Sequence, residues 1–136
     1  MLMRLIYASE SRQSLTPESV QQLVDHASRS NRRRQLTGVL AFDQQSFLQC
    51  LEGDRESVSD TFCKIAADTR HHRVLLLDYQ AINERMFCKW SMGFAAADAG
   101  GRELFLRFGV GDTFNPHQMS AGSALGFLAS IEGRLT

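Results

Sequence analysis

The hydrophobic positions of the chain fall into short strand-like runs separated by segments with helical spacing. In residues 2–9, mostly aliphatic side chains alternate loosely with polar ones, which predicts a first strand. A helix should follow at Thr16 and Pro17, because Thr caps free backbone N–H groups and Pro has no N–H to lose in a first turn. It should end near Ser30 and Asn31. Its buried face is predicted from apolar residues at helical spacing: Val20, Leu23, Val24 and Ala27.

Two further strands are predicted to form a hairpin. Residues 36–42 and 47–52 are rich in apolar side chains, and the polar residues 43–46 between them can turn the chain. Gly53 and Asp54 should end the second of these strands and cap a second helix. The buried face of that helix is predicted from its spacing: Val58, Phe62, Ile65 and Ala66.

The next two predicted strands differ in pattern. Residues 70–72 are expected to be the loop that leaves the second helix. Residues 74–79 are nearly continuously apolar, which predicts a strand covered on both faces or on most of one. Residues 86–94 should contain the following strand, with one face shared by residues at period two: Cys88, Trp90, Met92 and Phe94.

The order βαββαββ predicts an α+β, ferredoxin-like fold with a mixed sheet. Right-handed crossovers would lay the two helices side by side on one face of that sheet. Residues 103–108 and 118–133 predict C-terminal helices, which we expect to pack on the other face. We therefore divide the chain into residues 1–97, the main domain, and residues 98–136, a linker and helical extension.

Composition narrows the function classes. The chain has 136 residues, of which 43% are hydrophobic, as expected for one globular domain. Fifteen basic residues balance fifteen acidic ones, so no general affinity for nucleic acid or for an anionic membrane is indicated. An odd count of three cysteines without C-x-x-C spacing argues against a disulfide framework and favours the cytoplasm. No apolar run approaches the roughly 20 residues of a membrane span.

The basic run at residues 32–34 has two interpretations. A solvated loop between a helix and a strand is favoured, since runs of charge usually face water. Contact with phosphate or RNA is the alternative, but RNA-binding modules of this shape stack bases on strand aromatics in a characteristic motif. Residues 36–42 and 47–52 lack that motif, which argues against RNA.

The histidines and cysteines give no specific signal. His71 and His72, with His26 and Asp68, match no strong metal-ligand pattern, so we interpret the histidines as surface or anion-contacting residues. No local signature supports a catalytic nucleophile. The cysteines are interpreted as small core residues: Cys50, Cys63 and Cys88.

Polar residues inside apolar strands are more informative. Gln49 lies within an apolar strand pattern and shares a face with Phe47 and Leu51. Its primary amide offers two donors and an acceptor oxygen, and burying such a group without partners costs about 1–3 kcal/mol. Tyr7 occupies a similar position in the first strand. Gln49 therefore either faces water or meets polar partners inside the protein.

Several segments together resemble the BLUF domain, a blue-light sensor that uses FAD. The resemblance covers residues 2 to about 95 in colinear order. Its most specific part is the Thr-Gly-Val-Leu segment followed by Phe-x-Gln-x-Leu-Glu-Gly. The matching segments are Tyr7-Ala8-Ser9, Ser30-Asn31, residues 36–40, residues 47–53 and Trp90-Ser91-Met92.

The resemblance implies a flavin site between the two helices. Gln49 would bridge the flavin and Tyr7, Asn31 would bond the polar edge of the flavin, and Trp90 with Met92 would carry the signal outward. Lys64 and residues 70–72 would supply cations for the phosphates. The expected cofactor contacts are Tyr7, Leu23, Val24, Asn31, Phe47, Gln49, Lys64, Ile65, Asp68, Arg70, His71, His72 and Met92.

The resemblance also implies a sensor without enzymatic activity. We expect a short, stand-alone photoreceptor that rearranges a Tyr-Gln-flavin hydrogen-bond network in light. Its output would be an unknown downstream protein or a change of oligomer, with a homo-oligomer expected and neither nucleic acid nor membrane as partner. Two alternatives remain: an acylphosphatase-like hydrolase using an arginine and Asn31 on a phosphate, and a light-independent ligand-binding or interaction module on the same scaffold. The hydrolase alternative makes no use of Tyr7, Gln49, Trp90 and Met92 together.

Overall fold

The computed structural model describes residues 1–136 and shows an α+β fold with the predicted element order. Nine helices and strands make up the fold, apart from short 3₁₀ turns. They are β1 (Leu2–Ser11), α1 (Pro17–Arg33), β2 (Thr37–Phe42), β3 (Ser46–Asp54), α2 (Arg55–Ala67), β4 (His71–Ala81), β5 (Gly93–Ala96), α3 (Arg102–Phe108) and α4 (Ala121–Ser130). The five strands form one sheet in the order β4-β1-β3-β2-β5. Only the β2–β5 pair is parallel, so the predicted mixed sheet is confirmed.

Helix α1 begins where its capping residues predict. The Thr16 hydroxyl accepts the Ser19 N–H at 3.1 Å, and the Ser19 hydroxyl accepts the Thr16 N–H at 2.9 Å. Such a reciprocal cap satisfies two otherwise free backbone donors and is worth on the order of 1 kcal/mol. The helix continues to Arg33, which places Asn31 in its last turn, 2% exposed. Gln35 then adopts a positive φ of 56°, which turns the chain into β2.

The two faces of the sheet carry different cores. Helices α1 and α2 cover the face that contains Tyr7, Leu40 and Gln49, which we call the α1/α2 face. Ile6, Val39 and other apolar strand residues pack on the opposite face, the α3/α4 face. Residues of the C-terminal helices complete that second core: Phe105, Ala124, Phe127 and Leu128. The predicted placement of the C-terminal helices is therefore confirmed.

The expectation that residues 74–79 form a covered strand is wrong. β4 lies at the edge of the sheet and pairs only with β1. Leu75 is 43% exposed and Leu76 is 48% exposed. A continuous apolar run does not reveal whether a strand is central or at an edge, because that depends on long-range pairing. His71 and His72 also belong to β4 rather than to the preceding loop.

The strand expected within residues 86–94 begins only at Gly93. The preceding residues are irregular, so the period-two prediction of one shared face fails. Trp90 packs against the core of the α3/α4 face, Met92 belongs to the core of the α1/α2 face, and Cys88 is exposed. Phe94 packs with Met92. Period-two reasoning holds only for extended backbone, which this segment does not have.

Gly38 provides a direct test of the β2–β3 packing. A Cβ built at this position would collide with the backbone carbonyl oxygen of Cys50, which belongs to β3 and cannot rotate away. We expect Gly38→Ala to lower the free energy of unfolding by on the order of 1–3 kcal/mol. Chemical denaturation followed by circular dichroism measures this change.

Gly122→Ala in α4 is the matched control, because a Cβ there meets nothing within 4 Å. Alanine in a helix should be neutral or stabilise the protein by up to about 1 kcal/mol. Equal destabilisation by both substitutions would contradict the described packing of β2 on β3.

Candidate functional site

A cleft lies between α1 and α2 above the sheet. Its volume is about 860 Å³, within the roughly 300–1,000 Å³ range of small-molecule and cofactor sites. Tyr7, Phe47 and Gln49 contribute side chains from the sheet, while Leu23 of α1 and Ile65 of α2 provide apolar side chains. The same cleft is polar toward its rim. The arrangement suits a flat apolar ring that carries a polar and charged extension.

A short hydrogen-bond chain forms the polar part of the cleft floor. Tyr7 and Gln49 are directly opposite each other in the β1–β3 pair, so their side chains share a face. The Tyr7 hydroxyl donates to Gln49 Oε1, and Gln49 Nε2 donates to Met92 Sδ at 3.5 Å. A thioether sulfur is a weak acceptor. The Gln49 amide therefore keeps hydrogen-bonding capacity for a ligand.

Burial keeps Tyr7 protonated. The side chain is 4% exposed and its ring packs against Phe62, with centroids 5.5 Å apart. Loss of hydration raises the pKa of the phenol far above its usual value of 10.0, and the negative charge of Asp68 raises it further. Tyr7 is consequently a neutral hydroxyl donor at physiological pH.

Asn31 connects α1 to the segment before β5. Its Nδ2 donates to the Ser91 carbonyl oxygen at 2.8 Å, and the Ser28 and Ser91 hydroxyls lie 2.5 Å apart. Asn31 also lines the cleft. Its carbonyl oxygen has no hydrogen-bond partner within the protein, so it is available to a ligand. Asn31 can therefore contact a cleft ligand and Ser91 at the same time.

Charged groups are concentrated at the rim of the cleft. Arg70 forms an ion pair with Asp68 at 2.5 Å, and this pairing holds the pKa of the Asp68 carboxyl down at about 2. Lys64 also lines the rim. Arg12, which the sequence pattern did not identify, donates from Nε to the Thr69 carbonyl oxygen at 2.9 Å. The rim therefore carries cations that suit phosphate groups.

Two neighbouring histidines face opposite sides of β4. His71 lines the cleft, where its ring contacts Ser9 Oγ at 3.1 Å and the Ile65 carbonyl oxygen. His72 instead pairs with Glu10 at 3.5 Å and does not line the cleft. Successive strand residues alternate between faces, so both could not have pointed toward the same ligand. The expected cofactor contact of His72 is therefore not provided by this arrangement.

The structure brings most of the expected site residues together. Those that line the cleft are Tyr7, Leu23, Asn31, Phe47, Gln49, Lys64, Ile65, Asp68, Arg70 and His71. Val24 lies in the core beneath the cleft, and Met92 reaches the site through Gln49. Trp90 lies on the α3/α4 face. Its role and that of Met92 in signalling stay predictions.

Other residues that line the cleft were not among the expected cofactor contacts. Three that the sequence did not single out lie in the loop after β1 and on α1: Arg12, Gln13 and Gln22. His26 and Arg33 also line the cleft, although the sequence marked them only as an anion-contacting or surface histidine and as part of a basic run. The hydrophobic spacing of α1 marks its buried face, so it says nothing about polar residues beside a ligand. The position of the loop beside Thr69 and Arg70 depends on long-range contacts.

The structure shows neither a metal-binding cluster nor a membrane-spanning helix. No group of three or more His, Cys, Asp or Glu side chains is arranged to hold a metal ion. None of the helices combines the length and the apolar character needed to cross a membrane.

Solved structures of similar proteins share this fold. The dark-state structure of BlrB, described as a BLUF protein, matches with a TM-score of 0.80 at 27% identity, over 98% of this chain and 97% of that one. The BlsA ground state also matches with a TM-score of 0.80, at 32% identity, over 95% of this chain and 88% of that one.

Curated relatives are longer proteins. The blue light- and temperature-regulated antirepressor BluF of Escherichia coli is 37% identical over 81 residues, which are 58% of this chain and 20% of that protein. The beta subunit of the photoactivated adenylate cyclase of Euglena longa is 32% identical over 93 residues, 67% of this chain and 11% of that protein. The profile of one family, sensors of blue light using FAD, matches residues 2–93. The chain belongs to the BLUF family.

Proposed function

We propose that the chain detects blue light with FAD held in the cleft between α1 and α2, through the hydrogen bond between Tyr7 and Gln49. The observation that carries this proposal is the placement of that bond on the floor of the cleft. Tyr7 is a neutral donor there, and Gln49 is 6% exposed. Both groups are therefore shielded from bulk water at the place where a ligand would meet them.

The side chains of the cleft fit FAD. Leu23 and Ile65 offer apolar contacts from opposite helices for a planar ring. The free carbonyl oxygen of Asn31 can accept from the ring edge. At the rim, the cations that could contact the phosphates are Arg12, Lys64 and Arg70. A bound flavin supplies absorption of blue light and a strongly oxidising excited state, while the protein supplies orientation and hydrogen bonds.

Gln49 can exchange its hydrogen bonds without any lasting covalent change. Rotation of its amide would turn Nε2 toward the Tyr7 hydroxyl and Oε1 toward Met92. A thioether sulfur has no proton to donate, so the contact with Met92 would be lost. Tyr7 can donate an electron and a proton, which gives it a role in driving such a rearrangement. The result is a switch that returns to its starting state in darkness.

We propose that the signal passes from Met92 to Trp90 and β5, and then to residues 98–136, the linker and helical extension of the domain formed by residues 1–97. Met92 and Trp90 are two residues apart but lie on opposite faces of the sheet. Asn31 and Gln49 both bond this segment from the cleft side. A displacement of the Met92 side chain can therefore be passed across only two residues of sequence to Trp90, which packs against the α3/α4 core.

We propose that the output is a change in binding to another protein or in self-association, with no catalysis by the chain itself. Exposed apolar side chains on β4 support a protein contact: Leu75, Leu76 and Tyr79. The name of one relative, antirepressor, also describes action on another protein. A homo-oligomer, the absence of nucleic acid as a partner, and a cytoplasmic location stay predictions.

Substitution of Gln49 tests the light reaction. Wild-type protein purified with FAD should be yellow, and its flavin absorption band should shift to the red under blue light and recover in darkness. Gln49→Leu should bind FAD but lose the shift, because leucine has no amide to rearrange. Tyr7→Phe should lose it as well.

Gln22→Leu is the control for that test, since Gln22 lines the cleft but is exposed on α1. It should retain the red shift. A full red shift in Gln49→Leu would contradict the proposed role of the amide, and protein that cannot be reconstituted with flavin would contradict the site.

Substitution of Met92 tests the outward relay. Met92→Ala should keep the flavin red shift but reduce the light-induced change in hydrogen exchange within residues 102–136. Met86→Ala is the matched control because Met86 is 42% exposed. A wild-type exchange change in Met92→Ala would contradict the relay.

The raised pKa of Tyr7 gives a pH-dependent prediction. In a Tyr79→Phe background, Tyr7 is the only tyrosine, and its phenolate absorbance should not develop near pH 10.0 while the protein is folded. The unfolded chain loses this proton more readily, so stability should fall as the pH rises above about 10. Normal ionisation near pH 10 in folded protein would contradict the described burial.

A further inference from the structure

A buried ion pair lies outside the light-sensing site. Arg4 of β1 and Glu52 of β3 are opposite each other, on the sheet face that also carries Ile6 and Cys50. Glu52 is 0% exposed and Arg4 is 8% exposed. Arg4 Nε and Nη2 each approach Glu52 Oε2 at 2.9 Å. Neither the family description nor the proposed light reaction assigns a role to this pair.

Glu52 also binds backbone groups of an irregular segment. Its Oε2 accepts the Met86 N–H at 3.1 Å, and its Oε1 accepts the Phe87 N–H at 2.9 Å. Both residues lie outside any helix or strand. An ionised carboxylate has about four acceptor positions. Glu52 uses them to join β1, through Arg4, to a segment that secondary structure does not hold.

Stability alone does not explain a charged residue here. A buried ion pair is often no more stabilising than well-packed apolar side chains of similar size. Apolar side chains could not accept the Met86 and Phe87 N–H groups, however, and would leave this part of the backbone without its anchor. What the carboxylate adds is therefore a defined position for the segment.

Residues 86–92, which we call the output segment, contain both Trp90 and Met92. At its far end, Asn31 donates to the Ser91 carbonyl oxygen at 2.8 Å, and the Gly38 N–H donates to the Trp90 carbonyl oxygen at 2.9 Å. Glu52 holds the near end. The segment is thus fixed at one end by a buried charge and bonded at the other end to Asn31, which lines the cleft, and to Gly38 of β2.

We propose that Glu52 is a positioning residue for signal output. By fixing Met86 and Phe87, it keeps Trp90 and Met92 on opposite faces of the sheet, so a shift at Met92 is passed to Trp90 rather than lost in a mobile loop. The use of this anchor in signalling rests on the proposed function. The hydrogen bonds by which Glu52 holds Met86 and Phe87 are expected in the protein in darkness.

Fluorescence of Trp90 tests the proposal, because the chain has a single tryptophan. Glu52→Gln keeps the size of the side chain but has one acceptor oxygen and adds donors. In the dark, FAD-loaded Glu52→Gln should show acrylamide quenching of Trp90 raised by about twofold or more, as expected when a segment opens locally. The flavin red shift should be retained, because Tyr7 and Gln49 lie on the other face.

Two control variants distinguish loss of the Glu52 hydrogen bonds to Met86 and Phe87 from a general loosening of this part of the protein. Arg4→Lys keeps a positive charge near Glu52 and leaves the carboxylate free to bind both N–H groups, so quenching should stay near that of wild type. Arg85→Met removes a different bond in the same loop, from Arg85 Nη1 to Thr37 Oγ1 at 3.1 Å. Quenching should again stay near wild type. Wild-type quenching in Glu52→Gln, or equal increases in all three variants, would overturn the proposal.

The light-induced change distinguishes this proposal from the proposed function. In Glu52→Gln the light-minus-dark change in quenching should fall by about twofold or more while the red shift remains. A wild-type protein that shows no red shift would contradict the proposed function. The dark measurements would still decide whether Glu52 positions the segment.

Hydrogen exchange tests the proposal in the wild-type protein, so the result does not depend on whether a variant folds. The Met86 side chain is 42% exposed, so its burial does not account for protection of its backbone N–H. In wild-type protein this N–H should exchange far more slowly than in an unstructured peptide, because Glu52 accepts it. Exchange at the unstructured rate would overturn the proposal.

Discussion

The hydrogen bond between Tyr7 and Gln49 is the interaction on which the proposed site depends. It exists because β1 and β3 lie side by side in the middle of the sheet with these two residues directly opposite each other. A shift of register by one residue would move either side chain to the other face. The apolar core on both sides of the sheet makes such a shift costly. The register of β1 and β3 therefore determines that the Tyr7 and Gln49 side chains meet in the cleft.

Under the proposed function, the sheet also separates detection from output. Tyr7 and Gln49 face the helices that form the cleft, while the core formed with α3 and α4 lies on the opposite side. The segment before β5 is one place where the two sides connect, since Met92 and Trp90 belong to different cores. The proposed signal would pass from the cleft to the second core at this segment.

Local sequence patterns predicted the features that local interactions determine. Thr16 caps α1, the polar residues after Phe42 turn the β2–β3 hairpin, and Asp54 caps α2. The exposed side of β4 and the irregular path of residues 86–92 were not predicted. β4 lies at the edge of the sheet because β1 is the only strand that pairs with it. Residues 86–92 are held in place by hydrogen bonds from the Met86 and Phe87 N–H groups to Glu52, which is more than 30 residues away in the sequence.

In the candidate site, too, the residues that local patterns or the family resemblance could identify differ from those that depend on long-range contacts. Tyr7 and Gln49 could be identified because a polar residue in an apolar strand needs an explanation, and Asn31 because the family resemblance assigned it a role. Arg12 could not, since its place at the rim depends on a contact with Thr69, which is distant in the sequence. His72 was expected at the site, but strand alternation turns it toward Glu10.

The most direct test of the central claim is the nuclear magnetic resonance signal of the Gln49 side-chain amide in FAD-bound protein, recorded in darkness and under blue light. The signal can be assigned by its absence from Gln49→Leu. We expect its chemical shifts to change in light and to return with the same time course as the flavin absorption band. An unchanged Gln49 signal in a protein whose flavin band has shifted would contradict the claim that this amide is the moving part of the switch.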